Sequence, residues 1–198
     1  MLVPADDPVL NGVARPIVEV EFGTASLIER IARLCSAFDS FFADRLGVGL
    51  AAPQIGVSKR IFVAEDYGPL ANGPAWQGTL DRKPFARVVM CNPQLLSSSD
   101  ETVTAWETCL SEPQRIGLVS RPRRITMAFQ DPNGMHHTLD AADWVARILC
   151  HEADHLDGCL CSRRYRPDSA MQTTAYVNEW RNRPLSDALA YFAGQGVR

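Results

Sequence analysis

A short segment late in the chain, His151-Glu152-Ala153-Asp154-His155, constrains the fold more than any other part of the sequence. Two histidines four positions apart share one face of an α-helix and can bind the same metal ion, while the glutamate can reach a water molecule on that ion. Surface helices also carry this pattern, as a solvated pair of histidines. Metal binding is favoured here because Trp144 and Ile148 share the same face, where unliganded histidines would be poorly solvated.

The sequence predicts a helix around this segment and further helices elsewhere in the chain. Asp140 is expected to cap the start of its helix, which stops near Gly158, where a glycine permits the chain to turn. An earlier amphipathic helix begins near Ser26 and Glu29, which form a capping-box pattern. Its apolar residues recur at steps of four and three: Leu27, Ile31, Leu34, Phe38 and Phe41. The far C-terminus predicts one or two further helices.

The middle of the chain predicts β-structure. Strands are expected at residues 61–64, 87–91, 102–107 and 125–129, and the turn Asp131-Pro132-Asn133-Gly134 follows the last of them. Residues 67–78, rich in glycine and proline, predict a loop or hairpin excursion. The expected fold is therefore α+β, with antiparallel and mixed β-sheets packed around a central helix that carries the HExxH pattern, and with a terminal helix.

Size and charge narrow the class of protein. The 198 residues, 46% of them hydrophobic, fit a single domain spanning residues 1–198. A net charge of −3 argues against a nucleic-acid footprint and against a polybasic membrane anchor. No apolar run approaches the roughly 20 residues of a membrane span, and the N-terminus does not read as a secretion signal. We therefore expect a cytoplasmic protein with its six cysteines as thiols.

A catalytic metal site needs a third protein ligand and an open coordination position. Cys161 lies six residues after His155, at the spacing of the third ligand of metzincin proteases, and Gly158 is placed for the required turn. Those proteases, however, use histidine at that position. Cys109 follows a predicted strand, which can present a thiolate rigidly, although a cysteine there is more often a core residue. The residues alone leave both candidates open.

Three segments carry a resemblance to a known family. Residues 47–54 (GVGLAAPQ), 107–111 (ETCLS) and 151–155 (HEADH) resemble, in order and spacing, the three signature motifs of peptide deformylases. The similarity extends from Asp7-Pro8-Val9-Leu10 to Leu156-Asp157-Gly158, so it covers most of the chain.

The resemblance implies a metal-dependent amide hydrolase of protein biosynthesis. Such an enzyme processes the N-terminal methionine of newly made polypeptides by removing its formyl group as formate. It implies that Cys109, His151 and His155 hold one divalent metal, with ferrous iron as the working ion and zinc, nickel or cobalt able to replace it. The implied partners are N-formylmethionyl peptides, nascent chains and the ribosome. Charge and hydropathy indicate no direct binding of nucleic acid and no membrane.

The resemblance also suggests roles in the chemistry. Glu152 would take a proton from water and later deliver it to the departing amine. The side-chain amide of Gln54 and the backbone N–H of Leu110 would donate to the oxyanion. Without the family match, Gln54 would be read as a structural loop amide.

Further residues are candidates for binding the substrate. Gly49 is expected to let the substrate backbone lie against its loop. Val48, Trp144 and Ile148 are candidate walls of a pocket for the methionine side chain, and core packing is an equally good interpretation of each. Asp154 lies off the ligand face and is expected to be structural.

Two positions depart from the family pattern. Thr108 and Cys150 stand where family members usually have glycine and glutamine. We expect the branched Thr108 to narrow or reshape the cleft near the formyl end without abolishing metal binding. The sequence does not explain the cysteine at position 150. Two alternatives follow from these features: a deformylase-like protein that binds peptide N-termini with weak or no turnover, and an HExxH metalloprotease that uses Cys161.

Overall fold

The computed structural model describes residues 1–43, 48–69, 73–74 and 80–195, and these contain five α-helices, eight strands and several short 3-10 helices. The helices are α1 (Pro8–Asn11), α2 (Ala25–Ala43), α3 (Asp143–Leu156), α4 (Thr173–Glu179) and α5 (Leu185–Gln195). The strands are β1 (Gly49–Ala51), β2 (Ile61–Asp66), β3 (Phe85–Ser98), β4 (Thr102–Thr108), β5 (Arg115–Pro122), β6 (Arg124–Gln130), β7 (His136–Ala142) and β8 (Met171–Gln172).

The strands form two sheets. One has the order β1-β2-β3-β6-β7 and the other the order β4-β5-β8. All the pairings between these strands are antiparallel, which confirms that part of the prediction. Mixed sheets were expected as well, but within the described residues parallel pairing is confined to an isolated bridge between Arg15 and Lys59. Short connections, such as the turn between β6 and β7, can join antiparallel strands but cannot join parallel ones.

Helix α3 lies between the two sheets. It contacts β1, β2 and β7 of the five-stranded sheet and β5 of the three-stranded sheet, and residues 151–155 lie wholly within it. The prediction that Asp140 caps this helix is wrong. Asp140 belongs to β7, where its carboxylate accepts a hydrogen bond of 2.7 Å from the Thr126 hydroxyl, and the helix begins at Asp143. The turn at Gly158 is found as predicted, with φ +71°.

Helix α2 covers the five-stranded sheet through its apolar stripe. Leu27, Leu34 and Phe38 are buried in a cluster with residues of β1 and β2, whereas the predicted stripe members Ile31 and Phe41 are only partly buried. The capping residue is Thr24 and not Ser26, since the Thr24 hydroxyl accepts from the Leu27 N–H at 3.3 Å.

The C-terminal helices α4 and α5 pack onto the three-stranded sheet. Trp106 of β4 lies with its ring centroid 5.1 Å from that of Tyr176 in α4 and 5.9 Å from that of Phe192 in α5. These rings share one apolar core cluster with Trp144 and Ile148 of α3. A terminal helix is therefore confirmed.

Parts of two predicted segments fall outside the described residues. Gly47 of the first motif is one of them, as are residues 70–72 and 75–78 of the predicted excursion at 67–78. At its start, the Tyr67 ring lies 4.6 Å from that of Phe42 in α2. No described helix has the length and apolar character that a membrane span requires.

Replacing Gly158 by alanine is expected to destabilise the protein by about 2–5 kcal/mol. Its positive φ strains any residue with a side chain, and an added Cβ would lie 2.8 Å from the backbone oxygen of Asn11. Gly23→Ala is the matched control, because Gly23 has φ +75° with nothing within 4 Å of an added Cβ. It should lose only about 1–2 kcal/mol from strain. Urea unfolding measures both variants, and equal losses would contradict the expected clash.

Candidate active site

Three side chains with metal-binding atoms converge between β4 and α3. The ligand atoms of Cys109, His151 and His155 all lie within 4.8 Å of one another, and Cys109 Sγ is 3.2 Å from His155 Nε2. Donors that share a tetrahedral ion at 2.0–2.3 Å lie about 3.5 Å apart. The residues that the sequence predicted as ligands are therefore brought together at a spacing that fits one divalent ion. Burial also holds the pKa of His155 well below its usual range, so its imidazole is neutral, as a ligand must be.

A second group shares one of these histidines. Glu107, His151 and Cys161 also place their ligand atoms within 4.8 Å of one another. The Glu107 carboxylate is already engaged by two buried guanidinium groups, with Arg121 Nη2 at 2.9 Å from Oε2 and with Arg147 Nη1 at Oε1. Two fixed positive charges beside the carboxylate oppose the binding of a cation there. The group that contains Cys109 is thus the better metal site of the two.

Glu107 orients the first histidine. His151 Nδ1 lies 3.2 Å from Glu107 Oε2, so the carboxylate can accept its N–H and leave Nε2 for a metal. Cys161 Sγ donates to the same oxygen at 3.5 Å. Burial opposes ionisation of Glu107, but the charge and hydrogen bonds of Arg121 outweigh it and hold the pKa of this carboxyl well below its usual range. Sequence reasoning had not assigned Glu107 a role, although it opens the second motif.

Glu152 is buried beside the three converging side chains. It is 4% exposed, and its Oε2 has no hydrogen-bond partner among the described residues. Burial raises its pKa to about 7, and a cation nearby would lower it again by favouring the charged form. Gly49 of β1 makes room for this side chain, since an added Cβ would lie 2.3 Å from Glu152 Oε1. The glycine therefore has a packing reason beyond the predicted passage of substrate.

Gln54 lies in a 3-10 turn after β1 and directs its amide towards Cys109. Its Oε1 accepts from the Ala51 N–H at 2.8 Å. Its Nε2 donates to Ser111 Oγ at 3.1 Å and lies 3.7 Å from Cys109 Sγ. The backbone thus orients the side chain so that its N–H donors face the proposed chemistry. Leu110, the other predicted donor, follows Cys109 directly and lines the same cavity.

A cavity of about 450 Å³ joins these residues. All of the predicted site residues line it except His155, which is buried: Val48, Gly49, Gln54, Thr108, Cys109, Leu110, Trp144, Ile148, His151 and Glu152. Trp144 is held by Asp66, which accepts from its Nε1 at 2.6 Å, and Arg82 both pairs with Asp66 and stacks 4.8 Å from the indole. Neither Asp66 nor Arg82 was singled out from sequence, because both act through contacts distant in the chain.

Asp154 and Cys150 lie at positions where their contacts indicate structural roles. Asp154 accepts from Arg121 Nη1 at 2.5 Å and from Arg164 Nη2 at 2.6 Å, so it joins α3 to β5, as expected of a structural residue. Cys150 is half-buried against the main core cluster and is not among the residues that line the cavity. Burial raises the pKa of its thiol. Cys150 is therefore a small apolar packing residue.

A helix between two antiparallel sheets, with a thiol, two imidazoles and a buried glutamate at one cavity, defines a metallohydrolase of the HExxH class. The family model described as polypeptide deformylase matches residues 1–170, and the chain belongs to that family. The family implies a catalytic divalent metal, for which the group at Cys109 is suited. Membership favours deformylase chemistry over a metalloprotease that uses Cys161.

Named relatives agree with the family. The chloroplastic peptide deformylase 1A of Solanum lycopersicum is 37% identical over 172 residues, which cover 84% of this chain but 59% of the tomato protein. The peptide deformylase of Wolbachia pipientis is 35% identical over 76% of this chain and 84% of its own length.

Solved structures are similar as well. A class I type b peptide deformylase from Acinetobacter baumannii, in a structure titled as bound to Met-Ala-Ser, gives a TM-score of 0.70 at 28% identity, covering 82% of this chain and 97% of that one. The enzyme from Thermotoga maritima gives a TM-score of 0.66 at 30% identity, covering 84% and 97%.

Replacing each of the two candidate cysteines by serine tests which group of residues holds the metal. Cys109→Ser is expected to lose bound metal, because serine replaces a thiolate ligand with a poorly acidic hydroxyl. Cys161→Ser is the matched control and should keep the metal, since a hydroxyl can still donate to Glu107. Bound metal per chain is measured by mass spectrometry after anaerobic loading and desalting. If Cys161→Ser lost the metal and Cys109→Ser kept it, the metal would instead be bound by Glu107, His151 and Cys161.

Thr108 lines the cleft while its hydroxyl donates to the Arg115 carbonyl at 2.8 Å, which joins β4 to β5. Thr108→Gly is expected to raise kcat/KM on small formyl-methionyl peptides, because it removes the branched side chain from the cleft wall. Thr108→Ser keeps the hydrogen bond and removes only the methyl group, so it should give a smaller increase. Unchanged or lower activity in the glycine variant would contradict a narrowing role for Thr108.

Proposed function

We propose that the protein removes the formyl group from the N-terminal formyl-methionine of newly made polypeptides and releases formate. The proposal is carried by one observation: Glu152, with an oxygen that has no described partner, lines the same cavity as Cys109 and His151. A base beside a group suited to a divalent ion is the arrangement that amide hydrolysis by water requires. Family membership supports the choice of the formyl amide as the bond that is cleaved.

The metal would be held by Cys109, His151 and His155, and ferrous iron is the proposed ion, with zinc, nickel or cobalt as substitutes. When bound, it would polarise the formyl carbonyl and lower the pKa of a water molecule. A thiolate leaves a divalent ion with a net charge of about +1, by simple charge count from two neutral imidazoles and one anionic sulfur.

The protein's own residues supply the proton transfers. Glu152 accepts a proton as the water oxygen bonds to the formyl carbon, and it delivers that proton to the amine nitrogen as the C–N bond breaks. Formate and a free methionine amine are the products. Gln54 Nε2, oriented by the Ala51 N–H, and the backbone N–H of Leu110 donate to the carbonyl oxygen as it becomes negative. Gln54 Nε2 contacts Ser111 Oγ and Cys109 Sγ in the structure, so one of its N–H groups would turn from these partners to the substrate oxygen as the charge develops.

The methionine side chain is proposed to enter the cavity beside Val48, Trp144 and Ile148. All three line it, and an unbranched thioether fills an apolar pocket of irregular shape well. Support also comes from the Acinetobacter baumannii relative, whose structure is titled as bound to Met-Ala-Ser. Gly49 is proposed to let the peptide backbone pass close to β1.

The wider setting is proposed from the same features. Residues 1–198 would work as a single catalytic domain, because α4 and α5 share the apolar core of α3. The partners would be formylated nascent chains and, through them, the ribosome. A cytoplasmic location agrees with six cysteines that are all free thiols.

Formate release decides whether the protein turns its substrate over. The iron-loaded protein, kept anaerobic because ferrous thiolate sites oxidise, should release formate from formyl-Met-Ala-Ser. Glu152→Gln should lower the rate by about 10²–10⁴-fold, since it keeps the shape of the side chain and removes the base. Glu101→Gln is the matched control on an exposed glutamate and should leave the rate unchanged.

Metal content is measured on each of these samples, so that loss of the base is distinguished from loss of the metal. If the wild type releases no more formate than Glu152→Gln, turnover is refuted. The protein would then be a deformylase-like protein that binds peptide N-termini.

A further inference from the structure

The chain beyond the family match is built into the fold. The match ends at residue 170, and Met171–Gln172 then adds a third strand to the smaller sheet by pairing with Arg115 and Ile116. The Thr173 hydroxyl next donates to the Pro113 carbonyl at 2.8 Å. The segment formed by residues 171–195, here called the C-terminal segment, is thus attached to the connection that follows Cys109.

Two residues of the C-terminal segment reach the catalytic cavity. Thr173 and Tyr176 line it together with Cys109 and Glu152. The ring centroid of Tyr176 lies 5.1 Å from that of Trp106, which lines the same cavity. Part of the cavity wall therefore comes from residues that the family model does not match.

Burial along this wall increases from Thr108 to Tyr176. Thr108 is exposed and Thr173 is half-buried, whereas Tyr176 is 4% and Trp106 is 2% exposed. Thr108 and Thr173 therefore line the cavity with more exposed side chains, whereas Tyr176 and Trp106 line it with rings that are almost fully buried. Phe192 of the same segment packs against Trp106 with ring centroids 5.9 Å apart, which holds that ring from a further direction.

We propose that Tyr176 is a specificity-determining residue that limits the length of the first side chain the cavity accepts. This inference rests on the proposed function, because it takes the methionine side chain as the cavity's occupant. An unbranched, flexible side chain is selected by the length of its pocket as well as by its width. A rigid, buried ring in the cavity wall supplies such a limit, and the ring belongs to the C-terminal segment.

The test compares a methionine peptide with a peptide whose first side chain is a longer, unbranched hydrocarbon, so that the side chains differ in length and in the replacement of the thioether sulfur by a methylene. Met-Ala-Ser and 2-aminooctanoyl-Ala-Ser are titrated calorimetrically into the metal-loaded protein, and their formylated forms are used for kcat/KM. Wild type should prefer methionine. Tyr176→Ala should shift the ratio of the two affinities at least about tenfold towards the longer side chain, since each methylene that finds space in an apolar pocket contributes that much.

Tyr191→Ala is the matched control. Tyr191 belongs to the same segment and packs on Trp180, but it is 53% exposed and is not among the residues that line the cavity. A purely structural role for Tyr176 would weaken both peptides equally and leave their ratio unchanged, which would overturn the proposal. Failure of the wild type to bind Met-Ala-Ser would overturn it as well.

The outcomes separate this inference from the proposed function. If the protein binds the product peptides and Tyr176→Ala shifts their ratio, the specificity role stands even when no formate is released. Should Tyr176→Ala not fold, Tyr176→Leu keeps an apolar side chain at the position and is expected to shift the ratio in the same direction. Tyr176→Trp, which adds volume at the cavity wall, should instead weaken binding of Met-Ala-Ser, and an unchanged affinity would count against the proposal.

Discussion

A buried carboxylate, that of Glu107, holds the site together. It lies on β4 and pairs with Arg121 of β5 and Arg147 of α3 while accepting from His151. A buried carboxylate destabilises the fold unless it is paired and hydrogen-bonded. Loss of any of these partners would leave the charge of Glu107 partly unpaired, and this cost favours the arrangement in which all of them contact it. Since Glu107 stands two residues before Cys109, the same contacts that dock α3 on the smaller sheet also bring the thiol to the histidines.

The larger sheet completes the site from the other side of α3. β1 approaches the helix at Gly49, where the absence of a side chain leaves room for Glu152. The turn after β1 then presents Gln54 with its amide oriented by the backbone. Thiol, imidazoles, base and amide donor thus come from three chain segments, and His151 and Gln54 are oriented by neighbours that do not take part in the proposed chemistry. Such support keeps the donors in place before substrate arrives.

Some of the residues that line the cavity lie beyond the part of the chain that the family model matches. The polypeptide deformylase model accounts for residues 1–170, while the lining of the cavity includes Tyr176. The proposed selection of the first side chain thus combines Val48, Trp144 and Ile148, which lie inside the matched region, with Tyr176, which lies beyond it.

The sequence by itself determined the local features: the histidine spacing on α3, the alternation of the strands and the motifs of the family. These depend on helix and strand periods that are set within a few residues. The place of Asp140 in β7, the contacts that separate Cys109 from Cys161 and the position of Tyr176 emerge only in the tertiary structure. Asp140 is held in β7 by Thr126, and Cys161 contacts a carboxylate already shared by two arginines. Such contacts join residues far apart in the chain, so no local period can reveal them.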